Sequence, residues 1–118
     1  MSRALQNFKG TEKFFIFTGG SRRGGNEHDE EWCRSYFKKH FPDLDVHFPP
    51  KGTNDIDAFK LFTTCDHAIL NSTSTLGWWG SYLIKNPNKK VIVPWSCESD
   101  TKFDPLKFWP KEYMTIKI

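Results

Sequence analysis

Four short apolar runs, at residues 13–18, 45–48, 67–70 and 90–94, alternate with longer stretches whose apolar side chains recur at helical spacing. Few folds are open to a chain with this alternation. Runs of ~4–8 apolar residues suit strands buried on both faces, and an intervening helix carries the chain back for parallel pairing. The pattern predicts an α/β fold: one Rossmann-like parallel sheet with flanking helices and right-handed crossovers. Residues 1–118 are read as a single domain, because a core of this kind takes up ~100–150 residues.

The helices follow from spacing and from their ends. From Glu27 onward, Trp32, Cys33, Tyr36, Phe37 and Phe41 fall at helical intervals. Asp29, Glu30 and Glu31 open this stretch, and Arg34, Lys38 and Lys39 close it, as the helix dipole favours; Pro42 ends it. Asn54 caps a second helix, with Ile56, Phe59 and Phe62 on one face and Asp57 three residues after the cap. A third runs from Leu76 to Ile84, entered through Asn71-Ser72-Thr73-Ser74-Thr75; no glycine caps its end, and Asn86-Pro87-Asn88 breaks it. Residues 103–109 form an irregular stretch interrupted by Pro105, and residues 113–118 are read as a terminal strand or a tail packed on a helix.

Composition narrows the function classes. Aromatics make up 16% of the chain and hydrophobic residues 37%, enough apolar area for a core. The net charge of +3 is spread among 14 acidic residues rather than gathered in a block, so nothing demands a nucleic acid. No stretch approaches the ~20 apolar residues of a membrane span, and the first ten residues have no apolar signal core, so no membrane contact is expected of this segment. Cys33, Cys65 and Cys97 lie far apart without companion histidines at zinc-ligand spacing, so no metal site is expected and the cysteines are read as small hydrophobes, with one disulfide bridge left open. The four histidines have no partner nucleophile at recognisable spacing.

Ligands of parallel sheets bind beyond the carboxyl ends of the strands. Two such ends stand out. One is the loop Gly19-Gly20-Ser21-Arg22-Arg23-Gly24-Gly25, whose arginines are read either as phosphate contacts or as solvated charge. The other is the hydroxyl cluster Ser72, Thr73, Ser74 and Thr75 at a helix start, where free N–H groups and the dipole favour an anion. Taken alone, a hydroxyl there reads first as an ordinary N-cap, since one Ser or Thr is enough to start a helix. Asp57 has two readings as well: a carboxylate able to accept from both N1–H and the amine of guanine, or a capping partner of Asn54. Gly77 and Gly80 inside the third helix cost ~1 kcal/mol each against alanine, which predicts a close approach, of either the sheet or a bound nucleotide.

Cys65-Asp66-His67-Ala68-Ile69-Leu70, the Ser/Thr cluster and Gly77-Trp78-Trp79-Gly80-Ser81-Tyr82-Leu83 together resemble the C-terminal part of glycosyltransferase family 11, the α-1,2-fucosyltransferases. Glu31-Trp32-Cys33-Arg34, Asp57-Ala58-Phe59 and residues 90–94 extend the resemblance over about residues 13–95. It implies the donor-binding lobe of a two-lobed (GT-B-like) enzyme that transfers fucose from GDP-fucose to the 2-hydroxyl of a galactose-terminated glycan, with inversion and with no metal or other cofactor. On that resemblance Ser74 and Thr75, with Ser72 and Thr73 beside them, contact the diphosphate; Asp57 contacts guanine; Trp78 and Trp79 shape the pocket floor. The lumenal side of the Golgi membrane is the implied location for a eukaryotic member. The family's H-x-R-R-x-D motif has no counterpart in the 118 residues, and Arg22-Arg23 does not reproduce it. The expectation is therefore a chain lacking the N-terminal lobe, with a non-catalytic nucleotide-sugar-binding remnant as the alternative and no residue assigned as catalytic base.

Overall fold

The structure, a computed structural model, describes residues 1–18, 26–70, 74–95 and 102–116, without the side chains of residues 2 and 26–28. Five helices and five strands alternate along these segments: α1 (Ser2–Leu5), β1 (Lys13–Phe15), α2 (Asn26–His40), β2 (Asp45–His47), α3 (Asp55–Thr63), β3 (Ala68–Ile69), α4 (Thr75–Tyr82), β4 (Val91–Pro94), α5 (Pro105–Phe108) and β5 (Met114–Ile116). Every strand pair is parallel, as the alternation predicts. The strands form two hydrogen-bonded sheets rather than the one expected, β1-β2 and β3-β4-β5. The chain divides into two compact units, Leu5–Ala58 and Met1–Ala4 with Phe59–Ile118, and each sheet lies within one of them. The strands are two to four residues long, so most ladders hold only a few bonds.

In the unit Leu5–Ala58, Lys13, Phe14 and Phe15 stand opposite Asp45, Val46 and His47, and the Ile16 N–H donates to the His47 carbonyl at 2.9 Å. The α2 helix carries the chain between these strands. Its Phe37 is buried and its Trp32 is 61% exposed, so the helix has one face inward and one in solvent. Trp32 and Tyr36 stack at 5.0 Å, one turn apart. After β2 the chain reverses at Pro50, where the Thr53 N–H donates to the Pro50 carbonyl and Gly52 takes φ 86°, a conformation suited to glycine at the third position of a type II turn. Asn54 Oδ1 then accepts from the Asp57 N–H at 2.8 Å, the cap expected at the start of α3.

The second unit holds most of the core. All four residues of β4 are buried, in keeping with the Val91-Ile92-Val93 run and its place between two neighbours. Ala68, Ile84, Val91, Val93, Trp109 and Tyr113 form one apolar cluster, with Phe62, Leu70 and Trp78 packed against it. Residues 113–118 resolve in favour of the strand: β5 pairs with β4 from Ile92↔Met114 to Pro94↔Ile116, and residues 117 and 118 lie outside the described segments. Pro105 starts a helix rather than interrupting one. It sits at the first position of α5, where no intrahelical partner for its missing N–H is needed, and Asp104 Oδ1 caps the Leu106 N–H at 3.0 Å. No helix among the described residues is long and apolar enough to cross a membrane.

Candidate functional site

The junction from β3 into α4 is the site that the hydroxyl cluster pointed to. Asn71, Ser72 and Thr73, and with them two of the proposed diphosphate contacts, lie outside the described residues, as does the glycine-rich loop with Arg22 and Arg23. Ser74 is the N-cap of α4, with extended backbone (φ -64°, ψ 143°), and its Oγ accepts the Gly77 N–H at 3.1 Å. Its carbonyl accepts from Trp78 at 3.0 Å, the first intrahelical bond. The N–H groups of Thr75 and Leu76 precede that ladder and point out of the helix start, at the positive end of the dipole. Ser74, Thr75 and Leu76 are all exposed, so this turn is not packed inside the core.

The cap does not use up the donors of this turn. A serine hydroxyl has one donor and two lone pairs, so Ser74 Oγ holds Gly77 while its own O–H remains available to donate outward. Gly77 keeps that arrangement compact. A Cβ there would come within 3.2 Å of Ser74 Oγ and 3.3 Å of Leu70 Cδ2.

Gly80 answers the question posed by a glycine in a helix interior. A Cβ at this position would stand 2.6 and 2.8 Å from Cδ1 and Cε1 of Phe62, so the close approach is to an aromatic ring of α3. The neighbouring Ser81 is fully buried; its hydroxyl donates to the Trp78 carbonyl at 3.0 Å and lies 3.1 Å from the Tyr113 hydroxyl. With the serine proton spent on the carbonyl, the phenol is the donor of that second bond. Burial pushes the Tyr113 phenol above its ordinary value of 10.0.

Trp78 and Trp79, both expected on a pocket floor, occupy different environments. The Trp78 Nε1–H donates to the Phe108 carbonyl at 2.8 Å, and its ring packs against the core and stacks on Tyr82 at 5.3 Å. Trp79 is 52% exposed and meets Trp78 nearly edge-on at 5.1 Å. Ser74, Thr75, Trp78 and Trp79 share one helix and one unit, whereas Asp57 is an exposed residue in the first turn of α3 and belongs to the other.

The far end of α4 shows a residue that the sequence reading passed over. Lys89 Nζ donates to the carbonyls of Ser81 and Tyr82 at 2.9 Å and of Ile84 at 3.2 Å, replacing the glycine cap that the sequence lacks. An ammonium has three protons, and here each meets one terminal carbonyl at the negative end of the helix. Beside it, a cavity of about 490 Å³ is lined by Thr63, Thr64, Cys65, Asp66, Leu83, Lys85 and Asn86. None of the residues proposed to bind the donor lines it.

Histidine and cysteine chemistry stays quiet. His67 Nδ1 accepts from the Lys90 N–H at 2.8 Å, which binds the entry of β3 to that of β4. Cys33 and Cys65 are free, half-buried thiols pushed up by burial first and by neighbouring carboxylates second, the opposite of an activated nucleophile; Cys97 lies outside the described residues. Among the described residues no three of His, Cys, Asp or Glu are grouped to hold a metal ion.

Against known proteins, the model of one family, described as glycosyl transferase family 11, matches residues 1–113. No curated protein and no solved structure matches the chain.

Proposed function

We infer that the chain binds the guanosine diphosphate of GDP-fucose at the start of α4, because it belongs to glycosyl transferase family 11, a family of fucosyltransferases. Membership implies a nucleotide-sugar donor and a glycan acceptor. The observation that carries the reading to a place in the molecule is the exposed first turn of α4, which follows the carboxyl end of a parallel strand with N–H groups directed outward. Ser74 and Thr75 supply hydroxyl donors to the diphosphate there, with Ser72 and Thr73 just before them. Asp57 is carried over, on the resemblance alone, as the partner of guanine, and Trp79 rather than the core-packed Trp78 offers an exposed aromatic face to the donor. The acceptor is a galactose whose 2-hydroxyl oxygen attacks the anomeric carbon of fucose. The bond to the diphosphate breaks, GDP leaves with the electron pair, and the hydroxyl proton passes to a base. Neutralising charge on the departing diphosphate is the task of the α4 amides and needs no metal. The fold reading is a donor-binding lobe of GT-B type, acting on the lumenal side of the Golgi membrane if the chain is from a eukaryote.

Calorimetry of the folded chain with GDP tests the site. GDP is expected to bind more tightly than UDP, and Thr75→Val, which keeps the shape and removes the hydroxyl, is expected to weaken it by about tenfold, the worth of roughly one charge-assisted hydrogen bond. A folded sample that gives no heat with millimolar GDP removes the proposal. The second reading is a donor-binding module without turnover. Sustained fucose transfer from GDP-fucose to a β-galactoside by this chain would eliminate it.

A further inference from the structure

We propose that the outward face of α2 is a self-association surface, on which two copies of the chain pair their α2 helices antiparallel about a two-fold axis near Ser35. This proposal is independent of the donor site. The face consists of Glu31, Trp32, Ser35, Lys38 and Lys39, all exposed and spaced so that they share one side of the helix. Trp32 is 61% exposed; one side of its indole is occupied by Tyr36, with the rings nearly parallel at 5.0 Å. A large aromatic held in one orientation at a protein surface is the residue type that anchors interfaces.

Charge decides the partner. Going along the face, a carboxylate comes first, then the indole, then a small hydroxyl residue, then two ammonium groups. Reversing the helix and setting it against itself about Ser35 puts Glu31 opposite Lys39 and Trp32 opposite Lys38, twice each by symmetry. A parallel arrangement would instead oppose like charges. Glu31 and Lys39 stand eight residues apart, roughly 12 Å along the axis, so both pairs form at once on either side of the two-fold. The small Ser35 at the crossing lets the backbones approach, and the ammonium groups meet the indole faces in the geometry that a cation prefers. Elsewhere on α2, Arg34 lies 4.2 Å over the Phe48 ring and 3.4 Å from Glu30, and His40 packs against Tyr36. A single helix pair covers less area than the ~800 Å² per partner of a standard interface, so the association is weak and depends on ionic strength.

Sedimentation velocity of the full chain from micromolar to millimolar concentration, at low and at molar salt, reads the association directly. The expected result is a monomer–dimer equilibrium at low salt that shifts to monomer at high salt. Glu31→Lys and Lys39→Glu are each expected to lower the association constant at least tenfold, because each homodimer then opposes like charges at two places. An equimolar mixture of the two variants is expected to recover the dimer, since both crossed pairs are then of opposite sign. Trp32→Ala, which changes no charge, is expected to weaken association without altering its salt dependence, with circular dichroism confirming that each variant retains its helix content. A chain monomeric to millimolar concentration at low salt would overturn the proposal. So would a dimer indifferent to both charge variants, or a mixture of folded variants that fails to recover.

Discussion

Two side chains of the second unit each settle several polar groups at once, and each gives a measurable consequence. Lys89 satisfies three carbonyls at the end of α4 and lies 5.8 Å from the Tyr82 ring centre. Lys89→Met keeps the aliphatic stem and removes the donors. A loss of about 1–2 kcal/mol in urea unfolding is expected, because water reaches part of this helix end and replaces some of the bonds. An unchanged midpoint would show that the ammonium adds nothing beyond solvation. Tyr113 gives a pH dependence. Its phenol donates to Ser81, so the neutral form is the one the fold holds, and burial raises its pKa above the ordinary 10.0. For a group raised on folding, the stability it contributes is complete below the unfolded value and is lost as pH rises through the folded one. Stability is therefore expected to fall above pH 10 more steeply in the parent chain than in Tyr113→Phe. At neutral pH that variant is expected to cost only about 0.5–1.5 kcal/mol, since Ser81 keeps its bond to Trp78. Parallel curves for the two proteins between pH 8 and pH 11 would remove Tyr113 as the titrating group.

Among the elements, α4 and α3 are joined by the contact at Gly80. Ala at position 80 would gain helix propensity of ~1 kcal/mol but would force its Cβ against the Phe62 ring, which costs ~1–3 kcal/mol in a packed site. Gly80→Ala is expected to destabilise the parent chain. In a Phe62→Ala background the obstacle is gone, and the same substitution is expected to become neutral or stabilising. The sign change in a double-mutant cycle is the measurement, and the same cost in both backgrounds would mean that Phe62 is not what excludes a side chain. This contact also shows what the sequence could and could not convey. A glycine at a helical position announced a close approach, but whether a ring, a sheet or a nucleotide comes near depends on tertiary placement. Helix positions were legible because spacing and end charges act locally, as in α2. The cap of α4 by Lys89 was not, because a flexible lysine stem folding back eight residues leaves no periodic trace. Strand ends were overextended for a related reason. Phe17 and Thr18 continue the apolar run of β1, yet the ladder of that strand ends after Phe15, with one more bond from Ile16. At the candidate site the cap was readable from Ser74 itself, whereas the separate roles of Trp78 and Trp79 turn on the bond to Phe108, thirty residues away.

At the level of the whole molecule, burial is unequal between the two units. The buried apolar residues include Ala68, Ile84, Val91, Ile92, Val93, Trp109 and Tyr113 in the unit that holds β3-β4-β5, and Phe37 in the unit Leu5–Ala58. Apolar burial is the main favourable term in folding, at roughly 25 cal/mol per Å², so the free energy needed to open backbone hydrogen bonds should follow this distribution. The β4 strand has a neighbour on each side and four buried residues. Among the described residues the β1 strand pairs with β2 alone, and its Phe15 is 38% exposed. Amide hydrogen exchange under native conditions should therefore rank the two sheets. The ladder amides donated by Ala68 and Leu70 to the carbonyls of Lys90 and Ile92 are expected to exchange slowest, at rates near those of global opening. The Ile16 amide, bonded to His47 at 2.9 Å, is expected to exchange faster by at least an order of magnitude, because a difference of ~1.4 kcal/mol in opening free energy is tenfold in rate. The ranking follows burial rather than bond length, since the bonds compared are of nearly equal length, 2.8 to 3.0 Å. Equal protection of Ile16 and Leu70 would mean that both sheets open in one cooperative step, and the unequal burial would then have no thermodynamic counterpart.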